Sequence, residues 1–201
     1  MKFYQEISLI PDSEIPPYAI WSKLYNQLHI ALADLQNTLG NQPIGISFPN
    51  YHFSEKSQGG FATLGYKLRV FAPSRELLEA LDLPKWLNRL DDYVHIKRID
   101  RVNEDKMRAH VVVSRYRRPN LNTQAKNLAK HKGISFDDAL AHCQKYKKQA
   151  KPYPFITLQS QTNGHKYCLF IQQKQVDSPT QGTFNSYGIN NALDGVTVPH
   201  W

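Results

Sequence analysis

Among the side chains of this sequence, His29 is the one best suited to proton-transfer chemistry. It falls on a predicted helix about 100° around from Leu28, at the margin of an apolar stripe, where it would be partly buried yet reachable. An imidazole with an ordinary pKa of about 6.5 exchanges its proton near neutral pH, so it can activate a ribose 2′-hydroxyl or protonate a leaving 5′-oxygen. A lone helical histidine is structural or incidental more often than catalytic. The other seven, His52, His95, His110, His131, His142, His165 and His200, show no metal-ligand spacing with carboxylates or cysteines. Asp91-Asp92 precedes a predicted strand, and Asp137-Asp138 falls in a first helical turn, where acids answer the helix dipole. No metal centre and no cofactor is expected. Ser160 lies in the turn-like stretch from Gln159 to His165 and lacks the Gly-x-Ser-x-Gly context of a serine hydrolase. Cys143 and Cys168 make neither a zinc pattern nor a disulfide framework.

Charge is concentrated in one region. Residues 97–151 hold fifteen Lys/Arg and five Asp/Glu, a net +10, while the overall charge is +8, so the remaining segments together net −2. From Lys106 to Lys132 there are eight basic residues and no acid. A continuous positive field of this kind attracts a phosphate backbone, although a solvated surface or an anionic membrane fits charge alone. No segment approaches the ~20 apolar residues of a membrane span, and the N-terminus lacks a secretory signal, so a cytoplasmic protein with no membrane partner is expected.

The elements that must position these residues follow from periodicity. Phe3 to Ile10 alternates as a strand, and Pro16-Pro17 opens a helix whose apolar face runs through Ile20, Trp21, Leu24, Leu28, Leu32 and Leu35. Ile44–Phe48 and Tyr66–Ala72 read as strands. Ser74 caps a helix through Leu77, Leu78, Leu81 and Trp86, and Val94–Ile99 supplies a fourth strand. Beyond Asp100, Ser114-Arg115-Tyr116-Arg117-Arg118-Pro119 leads into a basic helix over Asn122–Lys132, stopped by Gly133. A second helix opens at Ser135. Phe155–Leu158 and Tyr167–Ile171 form strands around Asn163-Gly164, with one more at Thr183–Tyr187. The expected fold class is α+β: a ferredoxin-like β-α-β-β-α-β domain over residues 1–100, then a second domain over residues 101–201 with a basic helix and a β-hairpin.

Several separated stretches together resemble the CRISPR repeat-processing endoribonucleases of type I-F systems. These are Tyr4 to His29 with its double proline, Gly45-Ile46-Ser47-Phe48-Pro49, Ser114-Arg115, Phe155-Ile156-Thr157-Leu158-Gln159-Ser160-Gln161, Leu169-Phe170-Ile171 and Phe184-Asn185-Ser186-Tyr187-Gly188. The resemblance implies a metal-independent cut at the base of a repeat hairpin, by 2′-hydroxyl attack, leaving a cyclic phosphate and a 5′-hydroxyl. It implies His29 as general acid/base, Ser160 holding or activating the 2′-hydroxyl, and Tyr187 orienting the histidine. Arg115 matches an arginine that reads a guanine edge by two hydrogen bonds, for which a planar guanidinium is suited. Arg117 stands where a glutamine reads adenine, or the alignment shifts by one and brings in Arg118. Tyr167 matches a phenylalanine that stacks on the stem, and Thr162 a second serine. Lys126, Lys130 and His131 occupy a helix that the family fills with arginine, which implies phosphate contacts made by point charges, without a bidentate fork.

The implied partners are the CRISPR repeat RNA hairpin, as precursor and as mature guide RNA, and other subunits of the CRISPR surveillance complex. Two further readings stand beside the enzyme: a catalytically silent hairpin-binding subunit of a ribonucleoprotein complex, and a basic DNA-binding protein. The joint presence of His29, Ser160 and Tyr187 argues against the first of these, and the lack of a helix-turn-helix or zinc pattern against the second.

Overall fold

The computed structural model describes residues 1–55, 60–118, 120–146, 150–160, 163–193 and 195–201. The protein is α+β. Strand β1 (Phe3–Leu9) is followed by helix α1 (Pro17–Leu39), strands β2 (Gly45–Ser47), β3 (His52–Phe53), β4 (Ala62–Thr63) and β5 (Lys67–Ala72), and helices α2 (Arg75–Leu81) and α3 (Leu83–Leu87). Strands β6 (Val94–Ile96), β7 (Asp100–Arg101) and β8 (Ala109–Tyr116) come next, then helices α4 (Leu121–Lys132) and α5 (Phe136–Lys145). Strands β9 (Phe155–Gln159), β10 (Lys166–Val176) and β11 (Val198–His200) complete the order.

Two compact units result. One comprises residues 1–116 and 153–201, and the other residues 117–152. The larger unit carries a first sheet in the antiparallel order β2-β5-β1-β6, with β7 also pairing β1, and a second sheet in the order β11-β8-β10-β9. Helix α1 packs against α2, α3 and β9, and one cluster of buried side chains joins its apolar stripe to both sheets. Gly45 marks where β2 closes on the second sheet: a Cβ there would lie 2.4 Å from the Phe184 ring and 2.7 Å from Val198. In the smaller unit, α4 and α5 pack together with Ala125 and Ala139 buried. Asn120 and Ser135 cap their N-termini, and Gly133 ends α4 in the left-handed conformation.

Three expectations are corrected. The helix expected from Ser74 to Trp86 is two, because Asp82 takes a left-handed conformation (φ 47°). Its N–H closes on the Leu78 and Glu79 carbonyls while its side chain accepts from Lys85 N–H, starting α3 with Pro84 in the first turn. Residues 114–116, expected to lead into the basic helix, are the end of strand β8, which begins at Ala109 and lies between β11 and β10. Val111, Val112, Val113 and Ser114 are all buried, so both faces are covered and no alternation appears. The strand expected at Thr183–Tyr187 is instead a loop, because the Asn185 side chain accepts from the N–H groups of Tyr187 and Ile189 and turns the chain.

Glu6, on β1 and only 3% exposed, holds the first sheet's charged face together. Its carboxylate accepts from Arg69 Nε at 2.8 Å and lies 2.8 Å from Lys97 Nζ and 3.7 Å from Lys67 Nζ. Arg69 in turn donates to the Trp201 main-chain oxygen at 3.0 Å and stacks over the Trp201 ring. Burial alone would push the Glu6 carboxyl up, but Lys97 and Arg69 outweigh it and hold the group below its usual range. A folded-state value below the unfolded one stabilises the protein above about pH 4.3 and loses that contribution as pH falls through the folded value. Urea titrations should therefore show Glu6→Gln less stable by about 3 kcal/mol at pH 7, since it strands the buried Arg69. The variant should also have a shallower loss of stability below pH 4.3 than the wild type. Parallel acid profiles for the two would show that the cluster does not carry this charge.

Candidate active site

The polar flank of α1 is where the candidate site begins. Ser22, Tyr25, His29 and Gln36 recur at spacings of three, four and seven and so fall on one strip beside the apolar stripe. Each donates to a main-chain carbonyl distant in sequence: the Ser22 hydroxyl to Thr157, the Tyr25 hydroxyl to Tyr187 at 2.9 Å, His29 Nδ1 to Ser186 at 2.8 Å and the Gln36 amide to Phe184 at 3.5 Å. A carbonyl can only accept, so the His29 nitrogen facing Ser186 carries the proton. In the neutral ring Nε2 is then the basic nitrogen, and no described residue hydrogen-bonds to it.

The loop over residues 184–190 supplies the other half of the histidine's setting. Besides its side-chain bonds, Asn185 accepts through its carbonyl from Gly188 N–H at 2.8 Å, and the Gly188 carbonyl accepts from Ile46 on β2. Gly188 sits at φ 70°, and a Cβ would lie 2.9 Å from Ile46 and 3.3 Å from Leu32, so the loop can press onto β2 and α1 only with glycine there. Asn190 donates both its main-chain N–H and its side-chain amide to the Val113 carbonyl on β8, and its own carbonyl accepts from Arg115 N–H. The Tyr187 ring thus lies parallel to the His29 ring, with centroids 3.9 Å apart and planes inclined by 3°. The stack fixes the ring plane, and the Ser186 bond fixes its rotation.

These two rings open onto a cleft of about 420 Å³ that is also lined by Arg115, Gln159, Ser160, Asn163, His165 and Tyr167. Strands β9 and β10 deliver the second wall. Ser160 directly follows β9, where its N–H donates to the His165 carbonyl and its own carbonyl accepts from Gly164 N–H, both at 2.9 Å, with Gly164 at φ 69°. Tyr167 on β10 shares a 2.7 Å hydroxyl–hydroxyl bond with Tyr187, and the Arg115 guanidinium lies 5.8 Å from its ring centroid. Burial, then the bond to Tyr187, pushes the Tyr167 phenol well above its usual range, so it stays protonated at neutral pH and serves as a fixed dipole.

Of the residues singled out from sequence, the fold brings His29, Arg115, Ser160, Tyr167 and Tyr187 to this one cleft. Arg117, Arg118, Lys126, Lys130 and His131 belong to the smaller unit, all exposed; Lys126 and Lys130 lie one turn apart on α4. Thr162 lies outside the described residues. Sequence reasoning missed Gln159, Asn163 and His165 as cleft residues, having read them as turn chemistry, and missed Tyr25 and the Ser186 carbonyl as supports. A tyrosine at the edge of an apolar helix face is the signal available for Tyr25, since a buried phenol needs a partner. Among the described residues, no group of three or more His, Cys, Asp or Glu is placed to hold a metal ion, and no helix is long and apolar enough to cross a membrane.

The Ser186 contact has a spectroscopic consequence. Long-range ¹H–¹⁵N spectra of the neutral imidazole should show the Nδ1–H tautomer for this residue. A dominant Nε2–H tautomer would contradict the assigned donor.

The CRISPR-associated protein family Cas_Csy4 matches residues 4–201. A curated relative from Pseudomonas aeruginosa (strain UCBPP-PA14), a CRISPR-associated endonuclease Cas6/Csy4, is 30% identical over 196 residues, covering 94% of this chain and 96% of the relative. Two solved structures are more distant. "An RAMP protein binding different RNA substrates" and "Characterization of a Cas6-related gene from Pyrococcus furiosus" each share 10% identity at a TM-score of 0.34. They cover 99% of this chain and 99% and 98% of their own. Matched along nearly its whole length, the chain belongs to the Csy4 family of CRISPR-associated proteins.

Proposed function

We propose that the protein is an endoribonuclease that cuts CRISPR repeat precursor RNA at the base of its hairpin, without a metal ion, and stays bound to the mature guide RNA. The observation that carries this reading is the His29 arrangement: Nδ1 engaged by the Ser186 carbonyl, the ring stacked on Tyr187, and the other ring nitrogen available in a cleft shared with Ser160. In the reaction the ribose 2′-oxygen attacks the adjacent phosphorus and the bond to the 5′-oxygen breaks, giving a 2′,3′-cyclic phosphate and a 5′-hydroxyl. One proton leaves the 2′-oxygen and one reaches the 5′-oxygen, so no water is consumed. His29 accepts or returns a proton through Nε2. Ser160 holds the 2′-hydroxyl in line, and Tyr187 keeps the imidazole plane fixed. Positioning of this kind can supply much of the acceleration.

Arg115 would read the foot of the stem, where its guanidinium suits the two acceptors of a guanine edge, while Tyr167 offers a π-face to the stem end. Arg117 or Arg118 would set the neighbouring base preference. Lys126, Lys130 and His131 on α4 would neutralise phosphates of the stem, and Thr162 would add a hydroxyl near the cut. The residues 1–100 would act as a ferredoxin-like domain carrying the histidine, a reading supported by the β-α-β-β-α-β order and the antiparallel arrangement β2-β5-β1-β6. The residues 101–201 would act as the RNA-binding domain. A cytoplasmic location and assembly with other CRISPR-complex subunits complete the proposal.

A labelled repeat hairpin in EDTA-containing buffer tests it. The all-ribose hairpin should be cut and its counterpart with one 2′-deoxy sugar at the cut site should be bound but intact. His29→Ala should bind the hairpin with unchanged affinity and lose roughly 10²–10⁴-fold in single-turnover rate, the range for removing a general acid or base. Tight binding of both hairpins with no cutting would replace the enzyme by the hairpin-binding subunit, and equal competition by duplex DNA would favour the DNA-binding reading.

A further inference from the structure

A second cleft, of about 460 Å³, opens between α1 and α3 and has no part in the arrangement around His29. Its wall is cationic and amide-rich, with Lys23 and Asn26 from α1, Lys85 and Trp86 from α3, and Asn88 and Arg89 from the short 3-10 helix that follows. No carboxylate lines it, and none of Lys23, Lys85 and Arg89 is in an ion pair among the described residues. All three cations are exposed, whereas the Trp86 ring is half-buried against the core, leaving one part of an aromatic surface toward solvent. Unpaired cations around a fixed aromatic ring make up the usual receptor for single-stranded nucleic acid: charges follow the phosphates and the ring takes a base face.

Its position identifies which nucleotides would reach it. Asn26 is one turn before His29 on α1, about 4.5 Å along the axis and about 60° around it, with Lys23 a further 60° on. The exposed face of α1 is therefore a path from the imidazole to this cleft, on the side away from Arg115 and Tyr167. Given the cleavage reading above, on which this inference rests, the stem foot occupies the Arg115–Tyr167 side. The only RNA that continues directly from the reacting phosphate on the other side is the strand beginning at the leaving 5′-oxygen. We propose that the α1–α3 cleft binds the single-stranded RNA immediately 3′ of the cut, holding the leaving strand in line before cleavage. The strand entering the stem from its 5′ side lies across the duplex and is not the occupant.

Binding of non-cleavable hairpins with a 2′-deoxy sugar at the cut site separates this from catalysis. Three are compared: one ending a single nucleotide after the cut, one extended by eight nucleotides at its 3′ end, and one extended equally at its 5′ end. The wild type should bind the 3′-extended hairpin on the order of tenfold more tightly than the other two, as expected for added phosphate contacts. The double variant Lys85→Ala/Arg89→Ala alters only exposed side chains. It should bind the unextended hairpin as the wild type does, lose the gain from the 3′ extension, and have a log–log salt slope on that substrate shallower by about 1.4, or 0.7 per lost contact. A wild type indifferent to the 3′ extension, or a variant that keeps the gain, would overturn the proposal. So would an equal gain from the 5′ extension. Failure to bind any hairpin would remove both this proposal and the cleavage reading. Binding with a 3′-extension effect but no cutting of all-ribose hairpins would remove the cleavage reading, and with it the leaving-strand role, while keeping the cleft as a site for RNA 3′ of the stem.

Discussion

Everything at the candidate active site depends on how one flank of α1 satisfies carbonyls that would otherwise be left without donors. The Ser22, Tyr25, His29 and Gln36 side chains donate to Thr157, Tyr187, Ser186 and Phe184, all more than 130 residues away. A carbonyl taken out of water without a partner costs about 1–3 kcal/mol, so the four contacts together specify the helix's rotation and its height against the second sheet. The imidazole is one of these four. Its orientation is therefore set by the same bonds that dock the helix, and its second nitrogen is left for chemistry because its first is used for structure.

Two distant segments complete that setting with little flexibility. The loop carrying Tyr187 is closed internally by Asn185, pressed onto β2 through Gly188 and stitched to β8 through Asn190. Strands β9 and β10 fix Ser160 and Tyr167 through their pairing, and the Tyr167–Tyr187 hydroxyl bond ties that wall to the loop. The cleft is thus assembled from α1, β8, the β9–β10 turn and the loop without any one element supplying it. Such a site is held by packing and hydrogen bonds on all sides, which is what proton transfer within hydrogen-bond reach requires.

Much of this was legible in the sequence where local rules decide. The α1 stripe, the Asn163-Gly164 turn, the caps at Ser74 and Ser135 and the stop at Gly133 each rest on periodicity or turn chemistry confined to a few residues. Strand β8 shows no alternation because its valines are covered on both faces, and the arginines at its end register only as charge. The loop at Asn185 has the aromatic and β-branched composition of a strand, and the side-chain bonds that turn it are displayed only by the folded backbone. His29 could be placed at an apolar margin from the sequence, but its tautomer could not, since the carbonyl that determines it lies 157 residues away. Residues of the second sheet and of the loop meet α1 only through long-range packing, which no local pattern encodes.

The central claim is that this imidazole, held by Ser186, presents Nε2 to the reacting atoms of RNA. A crystal structure of the protein with a hairpin carrying a 2′-deoxy sugar at the cut site measures that directly. The account predicts His29 Nδ1 still on the Ser186 carbonyl, and Nε2 within about 3 Å of the 5′-oxygen or of the position of the missing 2′-oxygen, directly or through one water. A scissile phosphate bound outside the His29 cleft, or a ring turned so that Nε2 points into the protein, would contradict it.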